Sequence, residues 1–174
     1  MTKGEMGLKR TFEIEGFKER YVDLCLSLDD FCYQMQRLGY KIKRKPKKIE
    51  KLFDMLFDSF PEKEFIDEDI FIRAIEMIKE LEDIGGGMNK YAEQIGGDFG
   101  RFSFLHFVDL AIDILSVATY DKYITPREVD NICEFICEGG FSYWLTENPE
   151  NEIVIDTPAK LYKYLKESYD EIED

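Results

Sequence analysis

Apolar residues recur at Phe17, Tyr21, Leu24, Leu28, Phe31, Met35 and Leu38, in alternating steps of four and three. This is the heptad spacing of a helix with one apolar face, and it predicts a long helix from about Glu19 to Leu38, ended by Gly39. Val22, Cys25 and Cys32 widen the apolar stripe. A broad stripe suits a helix packed inside a helical protein better than a bare two-stranded coiled coil, with homodimerisation through this face as the alternative.

The helical period continues along the chain. A second helix is expected over about Pro46 to Phe60, with Ile49, Leu52, Phe53, Leu56 and Phe60 on one face. A third is expected over Glu64 to Ile84, using Ile70, Ala74, Ile78 and Leu81 and stopped by Gly85, Gly86 and Gly87. Met88 to Ile95 reads as a short helix before Gly96, Gly97 and Gly100, so the glycine-rich segment 85–100 is the place for an internal hinge in what is otherwise a single helical domain, 1–174.

Residues 101–120 are the most apolar stretch, and their apolar side chains, from Phe102 and Phe104 to Val117 and Ala118, cover most of the circumference. A helix apolar all round belongs at the centre of a bundle. Thr125, Pro126, Arg127 and Glu128 spell a helix start: the threonine caps, the proline takes the first helical position and the glutamate completes a capping box. That helix is expected to run through Val129, Ile132, Cys133 and Ile136 to Gly139 and Gly140.

Phe141 to Leu145 reads as a short aromatic turn or a single helical turn, and Asn148 to Asn151 as a polar loop. Glu152 to Asp156 alternates like a short strand, as does Arg10 to Ile14, and the two are candidates to pair as a small ribbon. Thr157 and Pro158 open a last helix that buries Leu161, Leu165 and Tyr169. The expected fold is mainly α: a compact bundle of about six helices around a central apolar helix, with at most a small two-stranded ribbon.

Composition changes this picture in one respect. The 174 residues are 44% hydrophobic, with 14 Phe and 10 Tyr, which is ample core material and excludes a wholly disordered chain. The net charge of -14, however, is unevenly placed. Arg37, Lys41, Lys43, Arg44, Lys45, Lys47, Lys48 and Lys51 face only Glu50 between 37 and 51, a local net of +7 that leaves -21 elsewhere. The acidic balance disfavours general adhesion to nucleic acid or to anionic membrane, whereas the basic segment by itself favours contact with phosphate.

Met1 to Glu15 has no apolar run of the kind a signal peptide needs, and no segment has the length and purity of a membrane span. Cys25, Cys32, Cys133 and Cys137 sit within helical patterns and read as buried free thiols. A cytoplasmic setting without membrane contact is expected.

Candidate chemistry is sparse. His106, the single histidine, shares a helical stripe with Asp109 and Asp113, which makes a metal-dependent enzyme centred there one reading. No second ligand motif accompanies it, and a polar stripe on a packed helix is the simpler account. The phosphate-binding, kinase and EF-hand patterns are not matched by the glycine-rich or acidic segments. No cofactor and no catalytic residue are expected.

Charge therefore carries the functional expectation. Asp54, Asp58, Asp67, Glu68, Asp69, Glu76, Glu80 and Asp83 would place negative charge on exposed helix faces. This fits a non-enzymatic acidic interaction protein, in its sharper form an inhibitor or regulator that occupies the basic groove of a nucleic-acid-binding partner. The alternative is an accessory protein that contacts nucleic acid directly through the basic residues of segment 37–51.

Overall fold

A computed structural model describes residues 3–41, 47–60, 65–95, 104–119, 132, 135–136, 141–145 and 148–171, with the backbone alone described for 3–10, 86–95, 141–145, 148–153 and 168–171. The described chain is mainly helical. In order it forms α1 (Lys3–Arg37), α2 (Lys47–Asp58), α3 (Glu68–Ile95), α4 (Leu105–Thr119), β1 (Phe141–Leu145), β2 (Asn148–Ile155) and α5 (Pro158–Glu171). Five helices have described bounds, and Ile132, Phe135 and Ile136 are helical outside them, against the six or so helices expected.

The heptad face of α1 is spent inside the protein. Phe17, Leu28, Phe31 and Met35 are buried, Tyr21 and Leu24 are partly buried, and Leu38 alone of the series is exposed. The helix ends as its glycine predicts. Gly39 has φ 93°, its N–H donates to the Gln36 carbonyl at 3.0 Å, and the Tyr40 N–H donates to the Met35 carbonyl at 3.1 Å. This is a Schellman motif, which supplies partners to carbonyls that the helix itself leaves unpaired.

Two expectations for α1 are corrected. The helix reaches back to Lys3, so Arg10 to Ile14 is helical and not a strand. Ile14 lies three residues before the buried Phe17 and extends the same face, which outweighs five residues of alternation. Val22, taken as part of the apolar packing face, is exposed.

α4 is the hub. It packs against α1, α2, α3 and α5, and residues Phe107, Val108, Leu110 to Ile112 and Ile114 to Thr119 are buried. Its two buried hydroxyls are satisfied locally, Ser116 Oγ donating to the Ile112 carbonyl at 2.9 Å and Thr119 Oγ1 to the Ser116 carbonyl at 3.0 Å. On one flank Tyr21 of α1 stacks on Phe53 of α2 (ring centroids 4.5 Å apart) and meets Phe57 and Phe107 edge-on.

The third helix is longer than expected. Gly85, Gly86 and Gly87 do not end α3, which continues to Ile95. Glycine costs about 1 kcal/mol relative to alanine inside a helix, and close packing against α4 gives Gly85 a reason to be there. A Cβ at this position would lie 3.0 Å from Leu105 Cδ2 and 3.3 Å from the Leu105 backbone nitrogen. Of the 85–100 hinge segment, 85–95 is thus helical and 96–100 lies outside the described residues.

The ribbon also differs from expectation. β1 and β2 pair antiparallel, Phe141 opposite Ile155 and Trp144 opposite Glu152, with a register shift between Trp144 and Leu145. Phe141 to Leu145 is therefore a strand and not a turn, and Asn148 to Asn151 belongs to a strand and not a loop. Glu152 to Ile155 pairs with this near neighbour, which closes a far shorter loop than Arg10 to Ile14 would require. Ile155 is buried and Val154 exposed, as one-sided packing against α5 demands.

α5 begins as its sequence signals. The Lys160 N–H donates to Thr157 Oγ1 at 3.2 Å, Pro158 holds the first helical position, and Leu161 and Leu165 are buried. The Tyr169 side chain lies outside the described residues, as do Thr125 to Glu128. From the helix expected after them, Ile132, Phe135 and Ile136 are helical and buried, with Lys79 Nζ of α3 4.5 Å from the Phe135 ring centroid. Cys25 and Cys32 are free thiols, Cys32 buried and Cys25 partly so, while Cys133 and Cys137 lie outside the described residues.

Candidate functional site

The stripe His106, Asp109, Asp113 runs along the side of α4 that faces α1. Arg20 of α1 reaches across and donates from Nη1 to Asp113 Oδ2 at 3.0 Å. Beside this pair is an open cleft of about 250 Å³, lined by Arg20, Asp23, Leu24, Ser27, His106 and Asp109. Partial burial raises the Asp109 carboxyl above its ordinary range, and neighbouring Asp113 adds to the rise; His106 and Arg20 act in the opposite direction.

Three of the cleft's polar groups thus come from α1, which the sequence stripe on α4 did not reveal. Among the described residues no group of three or more His, Cys, Asp or Glu side chains is arranged to hold a metal ion. Asp113, the third member of the stripe, is already engaged by a guanidinium.

The basic segment lies at the turn from α1 to α2. Arg37, Lys41, Lys47, Lys48 and Lys51 are exposed, whereas Lys43, Arg44 and Lys45 lie outside the described residues. Lys48 Nζ stands 3.0 Å from Glu80 Oε2 of α3, so one of the lysines is turned toward the acidic remainder. Both partners are more than half exposed, which makes the pair worth at most about 1 kcal/mol. Lys47 and Lys51 share another stripe of α2 with Asp54 and Asp58, in steps of four, three and four. Positive charge early and negative charge late in a helix both oppose its dipole.

Of the eight acidic residues singled out in the sequence, all but Asp67 are exposed. Asp69, Glu76, Glu80 and Asp83 recur in steps of seven, four and three along one exposed stripe of α3, with Arg73 between the first two. Glu68 is exposed at the helix start, and Asp67 is partly buried beside it. The Asp67 carbonyl accepts from the Phe71 N–H at 2.9 Å, so the acidic start of α3 is in the dipole-favoured place. Asp54 and Asp58 are exposed on α2, which packs against α3.

Sequence patterning missed one surface. Phe12, Val22, Leu26 and Tyr33 are exposed on the side of α1 turned away from the core. The signal was available in the steps of four and seven from Val22 to Leu26 to Tyr33, but the stronger heptad beside it absorbed Val22. No described helix is long and apolar enough to cross a membrane. Compared with protein-family models, curated proteins and solved structures, the chain matches none.

Proposed function

We propose that the chain is a non-enzymatic interaction protein whose acidic surface binds a macromolecular partner with a basic one, and that the partner's basic surface is a groove that otherwise holds nucleic acid. The observation that supports this most is the exposed stripe Asp69, Glu76, Glu80 and Asp83 on α3, with Asp54 and Asp58 exposed on the adjoining α2. From Asp69 to Asp83 the stripe covers about 21 Å of helix. Duplex DNA is more densely charged than this, so the stripe would engage selected phosphate-binding positions and not a whole groove wall. Attraction of this kind speeds encounter and weakens with salt.

Capture on the tagged protein, after nuclease treatment, tests the reading. A partner should be retained at about 0.1 M salt, where charges still interact over roughly 10 Å, and be lost on a variant carrying Asp54→Lys, Asp58→Lys, Glu76→Lys and Asp83→Lys. Retention that this reversal does not alter would overturn the reading.

A second reading has its own support. Arg37, Lys41, Lys47 and Lys51 are exposed together around the α1–α2 turn. Such a cluster suits phosphate contact and makes direct nucleic-acid binding through segment 37–51 the alternative. Reversing Lys41, Lys47 and Lys51 to Glu should then abolish a gel shift with oligonucleotides, and an unchanged shift would exclude it.

A further inference from the structure

The outer side of α1 carries a surface of a different kind. At about 100° per residue, Phe12, Val22, Leu26 and Tyr33 fall within an arc of roughly 80°, opposite the face that buries Phe17, Leu28 and Met35. Their exposures are 76%, 54%, 63% and 57%, so more than half of each residue faces solvent. The stripe runs about 32 Å along the helix. Exposed apolar residues scattered singly need no explanation, but four aligned on one helix face do.

Among the described residues, most of the charge around the stripe is negative. Glu15, Glu19, Asp23, Asp29 and Asp30 are exposed within the same side of the helix. Among the described residues the cations nearby are Arg37, beyond the end of the stripe, and Lys18 at its edge, whose Nζ lies 5.8 Å from the Phe57 ring centroid on the α2 side. The result is an apolar ridge bordered by carboxylates.

We propose that this ridge docks a basic amphipathic helix of a partner protein. The proposal rests on the reading of the chain as an interaction protein and assigns it a surface distinct from the acidic stripes of α2 and α3. A helix fits because the stripe is long and one residue wide, and anchors spaced four and seven apart are what a facing helix presents. Lysines or arginines flanking the partner's apolar face would meet the five carboxylates. A second copy of α1 would set those carboxylates against each other, and an anionic bilayer or nucleic acid would be repelled by them.

The test uses a synthetic, fluorescein-labelled helical peptide of about 21 residues, the length of the stripe at 1.5 Å per residue. It carries Leu at heptad a and d positions and Lys at the flanking e and g positions. A permuted peptide of the same composition without the heptad serves as control, since any cation is attracted to an acidic protein. In fluorescence anisotropy the patterned peptide should bind at least about tenfold more tightly than the control. Val22→Ser with Leu26→Ser should remove that difference while the far-UV spectrum and melting temperature stay unchanged.

Equal affinity of the two peptides, or an unchanged preference in the serine variant, would overturn the proposal. Reversal of Asp54, Asp58, Glu76 and Asp83 should leave the peptide preference intact. If that reversal abolishes it, the peptide sits on α2 and α3, and the assignment to α1 fails while the interaction reading stands. A dimer in light scattering that Leu26→Ser dissolves would identify a second copy as the occupant, and overturn it too.

Discussion

The hydroxyl of Tyr162 donates to the carbonyl of Ile66 at 2.8 Å, joining α5 to the segment that leads into α3. The other side of the same residue is also tied down, since the Ile66 N–H donates to the Ala118 carbonyl at 3.2 Å. That carbonyl belongs to the last described turn of α4. One residue of connecting chain therefore links three helices. Phe65 and Phe71 close around the Tyr162 ring, each with its centroid 5.5 Å away, and Lys166 Nζ lies 4.9 Å from that of Phe65.

Tyr162→Phe should separate the hydrogen bond from the packing. The ring stays and the Ile66 carbonyl loses its donor, so the expected loss is about 1 kcal/mol in urea denaturation. Tyr162→Ala also removes the contacts with Phe65 and Phe71 and should cost at least about 2 kcal/mol. Equal losses from the two variants would show that the ring contributes nothing.

Gly85 and Gly16 should respond oppositely to alanine. At Gly16, in the exposed part of α1, a Cβ meets nothing within 4 Å, and the gain in helix propensity should stabilise by up to about 1 kcal/mol. At Gly85 the same gain is opposed by contact with Leu105, whose backbone nitrogen, unlike its side chain, has no easy way to move. Overpacking of this kind costs about 1–3 kcal/mol, so Gly85→Ala should be the less stable of the two by thermal melting and no more stable than the unaltered protein.

Thr157→Ala should cost about 1 kcal/mol, because the hydroxyl oxygen accepts one of the N–H groups that the first turn of α5 leaves unpaired. Thr157→Ser keeps the acceptor and should recover most of the loss in the same denaturation measurement.

These elements differ in how far the sequence discloses them. The burial of α1, the centrality of α4 and the cap at Thr157 follow from local spacing, because helical period and capping act within a few residues. The continuation of α3 through Gly85 depends instead on Leu105 lying against it. The strand at Phe141 to Leu145 depends on β2 as its partner. At the surface, the acidic and basic clusters are legible as counts of charge. The cleft is not, since Arg20 and Asp113 are 93 residues apart and meet only through the packing of α1 on α4.

Asp109 gives that cleft a pH signature. Partial burial first, and then Asp113, raise its carboxyl above the ordinary value near 3.8, so in the interval above that value the folded state holds a proton that the unfolded state has released. Stability contributed at this site is therefore highest at low pH, falls as pH rises through the interval between the ordinary and the raised value, and stays reduced at neutrality. Asp109→Asn should melt slightly higher than the unaltered protein at pH 7 and equally at pH values below the ordinary one. The gain should be small because the side chain is largely exposed and water screens it. Removing Arg20, one of the groups that oppose the rise, as Arg20→Gln should push the carboxyl further up, which an NMR titration of the Asp109 side chain would read directly. A downward displacement in that titration would mean that Arg20 does not hold the Asp109 carboxyl down.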